Sequence, residues 1–369
     1  MDLNIKILTN PEELEFYKEE WINLEKKYEQ NSDLSFEFIR IWLKHFYHVE
    51  NDKFGYKKKL LILFIFSGNE LVTIAPLIKL SRRKYKDLLN ISYVEFIAQQ
   101  FGVFTLDFIG RRLSDSETEY IFNWLKNKIR FDILRLGYLK NTLLSNGNKA
   151  HLHTIMPVLY ISGIKHIEDL EKNHFSLNSR RNLRKRYRKF IENDGSVSIK
   201  KYKDLSRKEI QTIYDLSESK TYDNKKNIFR DSFIFAFLDE YYKSFDIHAI
   251  FLYLGMKPIS FLLYKKKRES LDLMISSFDR DYQEFYPGNL IIWELLKNIN
   301  FQIVKRICLG PGMGFYKKKF SNQTEKRYFH IDRGNSLMAF VKFYLEKKAS
   351  NKLKKKLVSE LDSFNNPAN

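Results

Sequence analysis

The segment Ser276–Phe320, SSFDRDYQEFYPGNLIIWELLKNINFQIVKRICLGPGMGFYKKKF, decides the fold class. A strand end gives way to a loop closing on Tyr286-Pro287-Gly288, and the apolar run behind it predicts a helix over about 289–298. A short buried strand is expected over 303–309. It runs into the glycine-rich turn Gly310-Pro311-Gly312-Met313-Gly314 and then Phe315-Tyr316-Lys317. Gly288 allows close backbone approach to a ligand, and the residues after it carry free amide groups at the positive end of a helix dipole. The first helical turn, Asn289 to Ile292, contains no acid to compete with an incoming anion. Such a junction suits a pyrophosphate.

Outward from this segment the pattern repeats. IHAIFLYL, the turn Gly255-Met256-Lys257-Pro258 and ISFLLYK predict a hairpin, as do LLILFIF, Ser67-Gly68-Asn69-Glu70 and LVTIAPLIKL in the first half. WLKNKIRFDILRLG (124–137) and LLKNINFQIVKRICLG (295–310) share one helix-then-strand register, which marks a degenerate internal duplication. Helices are expected over 11–29, from a Ser35 cap to Phe46, from Ser114 or Ser116 to about Ile129, and over 206–219 and 231–245. The boundary between halves is expected near His151 to Lys172, with a crossing strand at Tyr160 to Gly163. The halves differ at their equivalent helix starts. Ser114-Asp115-Ser116-Glu117 puts carboxylates where Pro287-Gly288-Asn289 has none, so an anion is expected in the second half.

With 369 residues, 44% hydrophobic and 15% aromatic, the chain has material for two folded domains. Its N-terminus lacks the basic and apolar regions of a signal peptide, and its longest apolar run is too short to span a bilayer. One cysteine, Cys308, excludes an internal disulfide and fits a reducing cytoplasm. The net charge of +19 favours anionic partners, although a Lys/Asn/Ile-biased genome produces the same excess.

Y-P-G-x-L-I-I-W-E-L-L-K followed by G-P-G-x-x-x-Y-K resembles the signature of the CelD-like branch of bacterial GNAT acyltransferases, relatives of the Fem-type aminoacyltransferases. SLNSRRNLRKRYRK (176–189) and LSFEFIRIWLKHF (34–46) extend the resemblance over most of residues 30–325. One departure is Cys308, where the family often has Asp two residues before G-P-G. The resemblance implies an α/β protein of two tandem GNAT-like halves, each a mixed sheet flanked by helices, plus a C-terminal basic helix. The domains are placed at 1–160 (no cofactor), 161–335 (acyl donor) and 336–369 (basic tail). It implies transfer of an acyl group from acetyl-CoA or another acyl-CoA to an amine of a small-molecule, sugar or envelope-related acceptor. A tRNA-dependent Fem-like enzyme and a non-catalytic binding protein stay open as alternatives.

On this reading Tyr286, Pro287, Gly288, Asn289 and Leu290 hold the cofactor. Arg180, Arg181 and Arg184 contact phosphates from a basic helix whose inward face is Leu183, Tyr187 and Ile191; a solvated basic face is the alternative. Tyr316 matches a position where such enzymes carry a proton donor to the leaving thiolate. Its ordinary pKa of ~10 makes that transfer roughly neutral. Lys317 matches a lysine that holds a phosphate or the oxyanion. Packing and plain surface roles are the alternatives for the two. No general base stands out among Asp279, Asp281 and Glu284. His151 and His153 have no accompanying acid or cysteine at ligand spacing, and no metal site is expected. In the tail, Leu337, Phe340, Val341 and Tyr344 form one stripe and Leu353, Leu357 and Leu361 another. The expected arrangement is a docked helix with a lysine face, or contact with an anionic membrane surface.

Overall fold

The computed structural model describes residues 3–28, 33–49, 57–84, 89–99, 105–139, 150–218, 231–312 and 314–345. They divide into two compact units, Met1–Ile155 with Lys326–Asn369, and Met156–Glu325. The chain thus returns to its first unit at Lys326, ten residues before the 335/336 boundary drawn from sequence.

The first unit begins with β1 (Leu3–Leu8), α1 (Lys18–Lys27) and α2 (Phe36–Trp42). Ser35 caps α2 by accepting from the Phe38 amide, and a π-helical turn, Leu43–Tyr47, extends it. Then come β2 (Lys57–Ser67), β3 (Glu70–Lys84), β4 (Leu89–Phe96), β5 (Ile109–Gly110), α3 (Asp115–Lys128) and β6 (Ile133–Leu139). β1 to β4 form an antiparallel run, β5 pairs with β3, and β4 pairs parallel with β6. β2 and β3 bury nearly continuous aliphatic runs, as strands covered on both faces must. Ser114 and Glu117 close a reciprocal capping box on α3, and Glu117 also chelates Arg111 at 2.6 and 3.1 Å. This helix start is filled by the protein's own carboxylate.

The second unit begins within β7 (Ala150–Tyr160) and continues through α4 (Ile167–His174), α5 (Leu177–Glu192), β8 (Gly195–Lys201), α6 (Arg207–Glu218) and α7 (Ser232–Ser244). β9 (Ile247–Leu254), β10 (Lys257–Lys266) and β11 (Ser270–Phe278) make an antiparallel meander. α8 (Pro287–Lys297), β12 (Arg306–Cys308) and α9 (Phe315–Phe320) complete it. Its sheet runs β7-β12-β11-β10-β9-β8, with β11 and β12 parallel and the remaining pairs antiparallel. α8 is apolar nearly all round and is the centre of the core, with Leu290, Ile291, Leu295 and Leu296 buried against Leu252, Leu262 and Leu271. The chain then re-enters the first unit through β13 (Gln323–Arg333), whose Tyr328–Arg333 pairs with β6. Each unit is therefore a mixed sheet with helices packed on it.

Several expectations are corrected. Helix α8 starts at Pro287, the usual first helical position for a proline. Only Arg306–Cys308 is strand; Ile303 is exposed, because the Ile303 and Val304 amides fold back onto the Asn300 carbonyl. Residues 161–163 are a turn following the long β7 rather than a crossing strand. On α5 the buried positions are Leu183 and Phe190, while Ile191 is exposed. In the tail, helix 337–345 docks through Ala339, Phe343 and a 2.9 Å Lys342–Asp132 ion pair. Leu337, Phe340, Val341 and Tyr344 are exposed instead. Leu353, Leu357 and Leu361 lie outside the described residues.

Candidate functional site

Three register pairs hold β11 to β12: Ser270 with Arg306, Leu271 with Ile307, and Asp272 with Cys308. Beyond Cys308 the chain stays with β7, the Leu309 amide bonding the Pro157 carbonyl. From Leu273 onward β11 has no strand partner on this edge among the described residues. The two strands therefore separate like a V, leaving ladder groups of β11 available to an extended ligand. An ion network ties the closed end. Arg306 bonds Glu325 at 2.7 and 3.0 Å and Asp272 at 3.1 Å, Lys267 pairs with Asp272 at 2.6 Å, and Tyr160 donates to Glu325 at 2.6 Å. Cys308, the departure from the family pattern, is a buried thiol beside this network.

The start of α8 lies at the far end of β11. Its N-cap is Tyr286, held left-handed at φ +53°, a conformation that costs a non-glycine residue on the order of 1 kcal/mol or more. The left-handed residue is thus Tyr286, while Gly288 is helical. The Tyr286 carbonyl accepts from the Asn289 and Leu290 amides, and Pro287 has no N–H. This leaves the Gly288 amide as the unpaired donor of that turn among the described residues. Pro287, Asn289 and Leu290 are buried, so of the five residues assigned to a cofactor only Tyr286 and Gly288 meet solvent.

A single amide and a helix dipole are a weak anion trap, and two side chains strengthen it. Arg186, on α5, lies over the Tyr286 ring with its guanidinium carbon 3.2 Å from the centroid. Lys319, on α9, has its ammonium pKa lowered by burial and then by the nearby Arg186 charge. Among the described residues neither cation has an acidic partner. Two adjacent, partly desolvated cations beside a helix N-terminus form an anion cradle. The three arginines read from sequence lie otherwise. Arg184 pairs with Glu171 of α4, Arg181 is exposed, and Arg180 is half-buried with its Nε unpaired. Arg186 was legible only as one more cation of α5; its contact with Tyr286 depends on how α5 docks.

The glycine turn is left-handed at Gly310 and Gly312, at φ +81° and +83°. Lys317 is buried and donates from Nζ to the Pro311 carbonyl at 2.6 Å, so it braces this turn. Tyr316 lies in the first turn of α9, packed on the core, and hydrogen-bonds Ser276 on the stretch of β11 beyond its pairing with β12. Burial raises its pKa above the ordinary tyrosine value, with the Ser276 bond opposing in part. Proton donation to a thiolate is therefore less favourable than the unperturbed pKa implies, and the hydroxyl stays protonated throughout the neutral range. Ser276 itself was not singled out from sequence. Two of the three acids around this site are engaged: Asp279 caps the turn at Asp281 and pairs with Lys257 at 3.1 Å, and Glu284 pairs with Lys189 at 2.9 Å, while Asp281 is exposed.

Residues 178–318 match the model of an acetyltransferase (GNAT) domain. A conserved protein of unknown function from Bacteroides thetaiotaomicron superposes with a TM-score of 0.54 at 8% identity, covering 89% of this chain and 99% of that one. The C-terminal domain of an Agrobacterium fabrum protein assigned as a lysylphosphatidylglycerol synthetase does so with 0.53 at 10% identity, covering 90% and 96%. A tandem GNAT protein from the clavulanic acid biosynthesis pathway aligns with a TM-score of 0.47 at 8% identity, covering 90% of this chain and 99% of that one. No curated protein matches the sequence. No helix among the described residues is long and apolar enough to cross a membrane.

Proposed function

We propose that this chain, whose residues 178–318 match a GNAT acetyltransferase domain, transfers an acyl group from acyl-CoA to an amine, with the donor bound in the second unit. The observation that carries the reading is the coincidence of an opened β11/β12 edge with an acid-free cradle of Arg186, Lys319 and the Gly288 amide. The first-unit counterpart, occupied by Glu117, has no such cradle. The donor's pyrophosphate suits the cradle, and its extended amide arm suits the unpaired edge of β11.

In the reaction the amine nitrogen attacks the thioester carbonyl, the carbonyl π electrons move to oxygen, and the C–S bond then breaks to release the thiolate. Tyr316 supports the last step as a hydrogen-bond donor to sulfur; its raised pKa makes full proton transfer late. Ser276 orients the hydroxyl, and Lys317 acts through the shape of the glycine turn. The attacking nitrogen loses its proton to solvent in this scheme. A protonated amine costs about 4–5 kcal/mol at neutral pH, so acceptors of low pKa are favoured.

The test is native mass spectrometry of the full chain with CoA and acetyl-CoA, followed by thiol release across a panel of amines. Binding of CoA with amine-dependent thiol release supports the proposal, and absence of both removes it. The +19 charge favours a second reading, an aminoacyl-tRNA-dependent enzyme. Tight tRNA binding that weakens on the order of 10³-fold between 50 and 200 mM salt, with CoA ignored, would select it.

A further inference from the structure

We propose that the first unit carries its own anion pocket, built for a phosphate-bearing small molecule and independent of the acyl-donor reading. A cavity of about 470 Å³ is lined by Tyr47, His48, Lys57, Lys59, Lys79 and Ser81 among others. Antiparallel register sets Lys57 opposite Ser81 and Lys59 opposite Lys79, and strand alternation puts all four on one face of the sheet. Two ammonium groups directly opposite each other destabilise a strand pair. Burial lowers the pKa of Lys79, and Lys59 lowers it further. Among the described residues Lys57, Lys59 and Lys79 have no acidic partner. The acid in electrostatic reach of Lys79 is Asp132, which already accepts from Lys342 at 2.9 Å and from the Ser92 amide at 2.8 Å. A cluster of this kind is relieved by a bound dianion.

The rim adds a second, independent feature. The π-helical turn Leu43–Tyr47 breaks the regular helix just before Tyr47 and His48, which form the wall. Such turns are rare and frequently occur at functional sites. Lys58, which also lines the cavity, donates to the Val49 carbonyl and fastens this wall to the strand. The volume falls in the range of small-molecule sites and exceeds what a bare phosphate fills. The ligand class is therefore a phosphomonoester with an organic body that rests on Tyr47 and His48. Its source is either a soluble phosphorylated metabolite or a phospholipid headgroup.

The experiment is isothermal titration of the full chain with inorganic phosphate and glycerol 3-phosphate at constant ionic strength, beside flotation with phosphatidic acid vesicles and with phosphatidylcholine vesicles. Lys59→Gln and Lys79→Gln are expected to weaken phosphomonoester binding by about tenfold or more. Arg186→Ala, in the second unit, is expected to leave it within about twofold. Without ligand, Lys59→Gln is expected to unfold at a higher temperature than the parent, because a like-charge pair is removed. Binding of glycerol 3-phosphate assigns a soluble ligand, and lysine-dependent flotation with phosphatidic acid vesicles alone assigns a headgroup. Phosphate responses that survive both lysine substitutions, or that only Arg186→Ala abolishes, overturn the proposal. So does binding restricted to polynucleotides.

Discussion

Replacing Arg186 by alanine separates the anion cradle from the fold. Bound to a pyrophosphate, the guanidinium makes a charged hydrogen bond worth about 1.5–3 kcal/mol, so its loss should weaken CoA binding by roughly 10- to 150-fold. Without ligand the same substitution has two opposed effects. It removes the stacking on half-exposed Tyr286, about 0.5–1 kcal/mol, and it relieves the repulsion that helps to hold down the Lys319 pKa. The stability of the free protein should therefore shift by less than about 1 kcal/mol. Calorimetric titration with CoA and with pantetheine, which lacks the pyrophosphate, reads the two contributions apart. The expected result is lost CoA affinity, unchanged pantetheine affinity and an unchanged melting temperature. CoA affinity within twofold of the parent, together with a lowered melting temperature, would make Arg186 a packing residue and refute the cradle.

Tyr316→Phe keeps the ring and should lower single-turnover acyl transfer on the order of 10²- to 10⁴-fold with donor affinity retained. Ser276→Ala, which keeps the Tyr316 hydroxyl and removes its partner, should cost only a few-fold, and an undiminished rate in Tyr316→Phe would leave the tyrosine as packing. Gly288→Asp should abolish CoA binding without loss of fold. A Cβ there meets only Phe278, at 3.9 Å, and an acid in the first helical turn is stabilising. Glu117→Gln should leave CoA binding alone, and equal effects of the two would sink the assignment to the second unit. His153, half-buried near Arg135, has its pKa lowered from 6.5 to about 4 by desolvation and then by that charge. The neutral form is thus favoured on folding, so its contribution is complete above pH 6.5 and is lost as pH falls towards 4. That is at most about 3 kcal/mol. Denaturant titrations at pH 7 and 4.5 should show a smaller acid loss in His153→Phe, and identical slopes in both proteins would count against it.

The local chemistry of the chain fixed much of the secondary structure. Ser35 and Ser114 cap the helices read from them, and the apolar runs around Gly68 and Gly255 fold as hairpins. The repeat of helix and strand at 124–137 and 295–310 announced two related halves. These signals are short-range, set by backbone capping, turn geometry and period, and so a sequence carries them openly. Strands with weak period, such as β1, β4 and β8, escaped because their partners rather than their own residues hold them. The proposed site could be read from sequence only as a stretch, Tyr286 to Asn289 with Tyr316, and not as a set of side chains. Whether Arg184 or Arg186 faces that place depends on the rotation of α5, which Leu183 and Phe190 set by packing. Lys317 and Lys319, two residues apart, have opposite fates for the same reason: one is buried against Pro311 and the other is pressed towards Arg186. Charge is written in the sequence, but which charges are left without a partner is decided by tertiary packing, because a side chain's neighbours come from distant elements.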